Sequence, residues 1–308
     1  MSLFLTLLAV LPGIILTVYI YKKDEIEKEP VKLILKLMIF GALTVFPAAI
    51  LETFGSAILG EMVSEDSLLF IAIENFLIVG VVEELCKFGV VKLFTWKNPE
   101  FDHKFDAIVY SVSSAAGFAI LENVYYVADG GLATAILRAI VSVPGHVVMG
   151  FFMGCFYGDA KAAERENKKS LKNIYLFLAV FIPVLIHGFY DFCATVDNMT
   201  VVFFVFVIAL YSYAFAKVDA IAFFDFAFMK SKEAKALDAV IAKLEANMSN
   251  NYKDNAQENL KELEALYQQF YSYGKLSKKN IEYYEAHILE YKEKMKGFTH
   301  KDQKPFWT

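Results

Sequence analysis

The amino-acid sequence predicts an all-α protein: a polytopic membrane helix bundle of about seven transmembrane helices, followed by a C-terminal soluble helical tail. Three observations lead there. Hydrophobic residues make up 57% of the 308 positions and mean hydropathy is +0.43, above the apolar share of a soluble domain, which is roughly half. These residues fall in blocks long enough to cross a bilayer, a distance that takes about 20 residues. Lysine and arginine gather in alternate connections between the blocks, the charge pattern of a chain that threads a membrane repeatedly.

The spans are read at 2–21, 32–54, 67–94, 105–128, 133–158, 173–195 and 200–220. The first, from Leu3 to Tyr21, lacks a basic leading region and a small-residue cleavage site, so it reads as a retained helix and not as a signal peptide. The apolar run at 220–229 is too short to span; it extends the last helix or lies along the interface. Lys22, Lys23, Lys28 and Lys32 follow the first span. Lys97 and Lys104 follow the third, and Lys161, Arg165, Lys168, Lys169 and Lys172 follow the fifth. The connections at 60–67, 129–134 and 196–199 contain neither lysine nor arginine. Positive charge stays inside, so the N-terminus is expected outside and the C-terminus in the cytoplasm.

Residues 1–229 are expected to form the membrane-embedded domain and residues 230–308 a cytoplasmic helical tail. The tail carries 14 basic and 12 acidic side chains, a balanced, solvated composition. Its apolar residues keep helical spacing: Leu237, Val240, Ile241 and Leu244, then Leu260, Leu263, Leu266, Tyr267 and Phe270. Ser277 is a candidate cap for a third helix with Ile281, Tyr284 and Ile288. A docking or regulatory module with a cytoplasmic partner is the neutral reading. No strongly basic stretch points to nucleic acid. Cys86, Cys155 and Cys193 lie in apolar segments without paired spacing and read as small buried hydrophobes.

Chemistry is sought where charge is costly, since an ionised side chain at the bilayer centre costs at least about 2.5–3.5 kcal/mol. The third span holds Glu83, Glu84 and Lys87, with Glu83 about 15 Å deep at helical rise. Lys87 stands one turn from both carboxylates. Adjacent carboxylates point about 100° apart on a helix, so the expectation is that Lys87 holds one ionised and leaves the other free for proton transfer. The fourth span carries Glu122 and Asn123 after the small run Ser111 to Gly117, which suits close helix packing. The fifth brings His146 near the middle, just after Pro144 and Gly145; the sixth brings His187, with Asp191 one turn further on to fix its tautomer. A structural reading exists for each, a buried ion pair or a satisfied core histidine. Together they supply the groups for general-base catalysis on water or for a metal site, and equally for a proton or cation pathway.

These residues, in this order, resemble the PrsW-type intramembrane proteases, relatives of the type II CAAX prenyl endopeptidases. The shared elements are E-E-x-x-K at Glu83, Glu84 and Lys87, F-x-x-x-E at Phe118 and Glu122, and H-x-x-x-D at His187 and Asp191, with His146 to Gly150 as an intervening histidine element. The resemblance covers roughly residues 1–220. It implies hydrolysis of a peptide bond in a single-span membrane protein, inside or at the edge of the bilayer. Glu83 would be the base that activates water and Glu84 its close alternative. His187 and Asp191 would orient water or stabilise the oxyanion, and a neutral imidazole or the Asn123 amide would donate to it. Glu122 stands where the prenyl endopeptidases place a histidine, which counts against prenylated substrates. The resemblance further implies site-1-type cleavage of an anti-sigma factor in a bacterial cytoplasmic membrane. The excess of lysine over arginine agrees with an AT-rich genome.

Metal content is open at this point. H-E-x-x-H is absent, and the cofactor is either none or a divalent metal such as zinc, with Glu84, Glu122, His146 and His187 as candidate ligands. Two other functions use the same residues: a proton- or cation-coupled transporter, against which no internal repeat is visible, and a non-catalytic, helix-binding scaffold of the same fold.

Overall fold

The computed structural model describes residues 1–24, 28–101, 103–250, 252–276 and 278–297. Among them every regular element is a helix. The chain divides into two compact units, Met1–Ala222 and Phe223–Thr308.

In the first unit α1 (Leu3–Lys23) starts at Ser2, whose hydroxyl accepts from the Leu5 N–H at 3.3 Å, and ends on Lys22 and Lys23, cations that suit a helix C-terminus. The second expected span is two helices, α2 (Val31–Leu43) and α3 (Val45–Met62), joined at Thr44, whose hydroxyl returns to the Gly41 carbonyl at 2.6 Å. The third begins at the Ser67 cap as α4 (Leu68–Ile73), passes through a π-helical turn at Glu74–Val79, and continues as α5 (Gly80–Thr95).

The next two helices are α6 (Lys104–Ile140) and α7 (Ser142–Arg165). Within α6 the chain leaves helical geometry at Gly131, with φ 69° and ψ −149°, a conformation that glycine adopts readily. Lys104 pairs with Asp159 at 2.6 Å, and near the turn Arg138 donates to Asn123 at 3.0 Å. Both pairs are nearly symmetric about Gly131, so the segment is an antiparallel hairpin that reverses inside the expected 129–134 connection. Then come α8 (Lys169–Thr195) and α9 (Thr200–Ser249).

Among the described residues five helical stretches are long and apolar enough to cross a membrane: Leu3–Lys23, Val31–Met62, Lys104–Arg165, Lys169–Thr195 and Thr200–Ala222. The difference from about seven has two physical sources. Lys104–Arg165 is a hairpin, and 68–95 carries Glu74, Glu83, Glu84, Lys87 and Lys92, which dilute its apolar character.

The small run of α6 allows close helix packing. Ser111 to Gly117 are all buried, and a Cβ on Gly117 would sit 2.0 Å from the Met38 carbonyl of α2, while one on Gly41 would sit 2.2 Å from that of Ser114. The two helices therefore cross with backbones in contact. The outer surface is the reverse of a soluble core: Leu3, Leu93 and Val201 are three-quarters exposed, as lipid-facing side chains are.

In the second unit the C-terminal part of α9, α10 (Lys253–Ser272) and α11 (Lys278–Lys296) share one core. Leu237, Val240, Ile241, Leu244, Leu260, Leu263, Tyr267, Tyr284 and Ile288 are buried in it, with Leu266, Phe270 and Ile281 packed against them. The expected cap, Ser277, lies outside the described residues.

Candidate active site

The helix α5 presents Glu83, Glu84 and Lys87, α6 presents Glu122, Asn123 and Arg138, α7 presents His146, and α8 presents His187 and Asp191. The π turn precedes the acidic pair and packs against α8, with Phe76 closely apposed to Gly188, next to His187.

Lys87 is fully buried, and its ammonium is the hub. It donates to Glu83 Oε2 at 2.8 Å and to Glu84 Oε1 at 2.8 Å, lies 3.0 Å from His146 Nδ1, and stands 4.3 Å from the centre of the Phe118 ring. This corrects the expectation that Lys87 serves one carboxylate. Positions i−3 and i−4 straddle its long stem, and three donor hydrogens reach both acids and the imidazole. An ammonium has no lone pair, so His146 Nδ1 accepts from it and Nε2 carries the proton donated to Glu122 Oε2 at 3.0 Å.

His187 is fixed by carboxylates on both nitrogens, Glu84 Oε1 at 2.9 Å from Nδ1 and Asp191 Oδ2 at 3.1 Å from Nε2. Glu83 Oε2 lies 3.8 Å from His187 Nε2 and 3.9 Å from His146 Nδ1. The two rings face one another edge-on, with centroids 5.3 Å apart.

A cavity of about 950 Å³ opens beside these groups, lined by Glu83, Glu122, His146, His187 and Asp191, and also by Glu52, Asn75 and Arg138. Glu84 is fully buried and is not part of the lining. The adjacent acids thus differ in setting: Glu83 meets the cavity, and Glu84 lies behind it, tying Lys87 to His187.

The structure brings the expected residues together, with differences of role beyond that of Lys87. Asn123 is occupied: its amide donates to the Ala9 carbonyl at 2.9 Å and its oxygen accepts from Arg138. It positions Arg138 and does not line the cavity, so it is not placed to serve an oxyanion. Arg138, unnoticed in the sequence, also donates to Glu122 at 2.8 Å and stacks on Tyr126. Glu52 of α3 is the other missed residue. The signal was present for both, since each is a charge inside an apolar run.

One ligand atom each from Glu83, Glu84, His146 and His187 lies within 4.8 Å of the others. Two carboxylates and two imidazoles suit a divalent transition metal, and Glu84 Oε2 is buried without a hydrogen-bond partner. The residues present therefore fit a metal, which would share its donors with the Lys87 ammonium. Glu83 replaces Glu122 in the expected set, because Glu122 turns to the far nitrogen of His146 and to Arg138.

The fold and this site define a class, the membrane-embedded hydrolases, with carboxylates, imidazoles and a buried ammonium gathered at a cavity between apolar helices. Residues 29–215 match the family described as PrsW family intramembrane metalloprotease. The chain is 37% identical over 182 residues to Protease PrsW of Geobacillus kaustophilus, covering 59% of this chain and 76% of that one. It is 34% identical to Protease PrsW of Bacillus subtilis (60% and 79% covered) and 33% identical to that of Clostridioides difficile (64% and 82% covered). No solved structure matches. The chain belongs to the PrsW family of intramembrane metalloproteases, and it is a peptidase of the membrane.

Proposed function

We propose that this peptidase cleaves a single-span membrane protein with a water activated by Glu83. The observation that carries the assignment is the unequal setting of the acidic pair, Glu83 at the cavity wall and Glu84 sealed behind it. Water in the cavity gives its proton to Glu83 as it attacks the scissile carbonyl. Lys87 holds the Glu83 carboxylate in place. His187, both nitrogens held by Glu84 and Asp191, fixes the cavity wall beside Glu83, and Arg138 retains N–H donors for the oxygen on which charge develops. Glu83 then delivers its proton to the leaving amine. A divalent metal such as zinc, held by Glu83, Glu84, His146 and His187, would polarise the carbonyl and acidify the water when bound.

In the same reading residues 1–229 form the protease domain, with 68–95 as one of seven crossings. The N-terminus is outside a bacterial cytoplasmic membrane, and residues 230–308 are a cytoplasmic tail available to a partner. An anti-sigma factor cut on its extracytoplasmic side is the substrate class. Support comes from the alternation of basic connections and from the family to which the chain belongs.

The test uses purified protein in liposomes with a tagged single-span substrate. Wild type cleaves it, and Glu83→Ala lowers the rate by about 10²–10⁴-fold, the usual worth of a general base. Equal cleavage by the two proteins would remove Glu83 from the role.

A further inference from the structure

Glu52 is the acid in the cavity that the chemistry above leaves unused. Its Oε1 is buried without a hydrogen-bond partner, and the side chain makes no ion pair among the described residues. Every other carboxylate of the site is matched. Glu83 and Glu84 have Lys87, Glu122 has Arg138, and Asp191 has His187. A metal would not complete Glu52 either, since Glu52 stands outside the four residues whose ligand atoms converge. A carboxylate in a low-dielectric wall lowers its energy by taking a cation, and none of the described side chains supplies one.

The surroundings define the cation's shape. Val45, Phe46, Ala48, Ala49, Ile50 and Glu52 all line the cavity from α3, and Val45, Ala48, Ala49 and Glu52 stand at spacings that put them on one helix face. The face is a short apolar stripe, flanked by Phe46 and Ile50, that ends, one turn on, in an acid. Such a surface takes an aliphatic stem along its length and a charged head at its end, the form of a lysine or arginine side chain. A hydrated inorganic cation has no use for the stripe.

We propose that Glu52 is a specificity subsite for a basic side chain of the substrate near the scissile bond. The proposal rests on the peptidase reading of the same cavity and names the substrate feature that the cavity selects. The test uses single-span peptides in liposomes, identical except for Lys, Gln or Glu placed at successive positions around the cleaved bond. At one position wild type is expected to cleave the Lys peptide with a kcat/KM about tenfold above the Gln peptide, the Glu peptide being poorest. In Glu52→Gln the Lys and Gln peptides converge to within about threefold, and in Glu52→Lys the order inverts in favour of the Glu peptide. Binding of the same peptides to Glu83→Gln protein, read by fluorescence anisotropy, reports the subsite without cleavage. A Lys preference in binding with no cleavage by wild type would keep the subsite and bring down the peptidase mechanism. Cleavage indifferent to Lys, or a Lys preference that survives Glu52→Gln, would overturn the subsite and leave the mechanism standing.

Discussion

The two compact units solve one problem with opposite interiors. In Met1–Ala222 the centre holds Glu84 and Lys87 at 0% exposure, while Leu3, Leu93 and Val201 face outward. In Phe223–Thr308 the centre is Leu237, Leu244 and Leu263, also at 0%, and of the charged side chains described there only Glu233 is buried. Beside Glu233, tyrosine hydroxyls enter the tail core, each handed to a carboxylate: Tyr284 to Asp238 at 2.8 Å, Tyr291 to Glu245 at 2.6 Å, and Tyr267 to Glu285 at 2.8 Å. Water drives apolar groups inward in the tail. Lipid offers no such drive, so the membrane unit relies on close packing and on polar groups satisfied internally. Buried polarity marks chemistry in the first unit and finishes the packing in the second.

The contrast can be broken at its hub. Lys87→Met leaves Glu83 and Glu84 without their cation and is expected to destabilise the membrane unit by about 3–5 kcal/mol, read from SDS unfolding in mixed micelles. Adding Glu83→Gln and Glu84→Gln should recover part of the loss. A Lys87→Met protein as stable as wild type would deny that the interior is held by charge. In the tail, Leu263→Ala should cost about 2–5 kcal/mol through the cavity it opens. The tail's melting shifts while the SDS midpoint of the membrane unit stays; a joint shift would show that the units do not stand independently. The smallest effect belongs to Tyr284→Phe, a loss of about 1 kcal/mol in the same melt, because the hydroxyl gives up its bonds to Asp238 and to the Ala234 carbonyl.

The helices and most of the site were legible because each side relies on a strong local signal. Apolar blocks define the membrane helices, and Glu83, Glu84, His146, His187 and Asp191 stand out inside them. The tail stripes were legible for the complementary reason, the return of leucine and tyrosine every three or four positions. What escaped depends on tertiary detail. The service of Lys87 to both carboxylates follows from the reach of its stem, which an angle between Cα positions does not convey. The engagement of Asn123 depends on the carbonyl of Ala9, more than a hundred residues away. The exchange of Glu83 for Glu122 among possible metal ligands depends on which nitrogen of His146 each acid meets. Arg138 and Glu52 carried the same signal as the others and were passed over because neither falls in a motif.

The π turn at Glu74–Val79 sets the rotational phase of everything after it. Such a turn holds one residue more than an α-helical path requires. Were the same residues to wind as an uninterrupted α-helix, the extra residue would swing the following segment by about 100° relative to the preceding one. Glu83, Glu84 and Lys87 would keep their mutual spacing and lose their common orientation toward His146 and His187. The winding of this stretch is therefore as strictly specified as the identity of the acids it aims, and straightening it is a change of active site made at a distance.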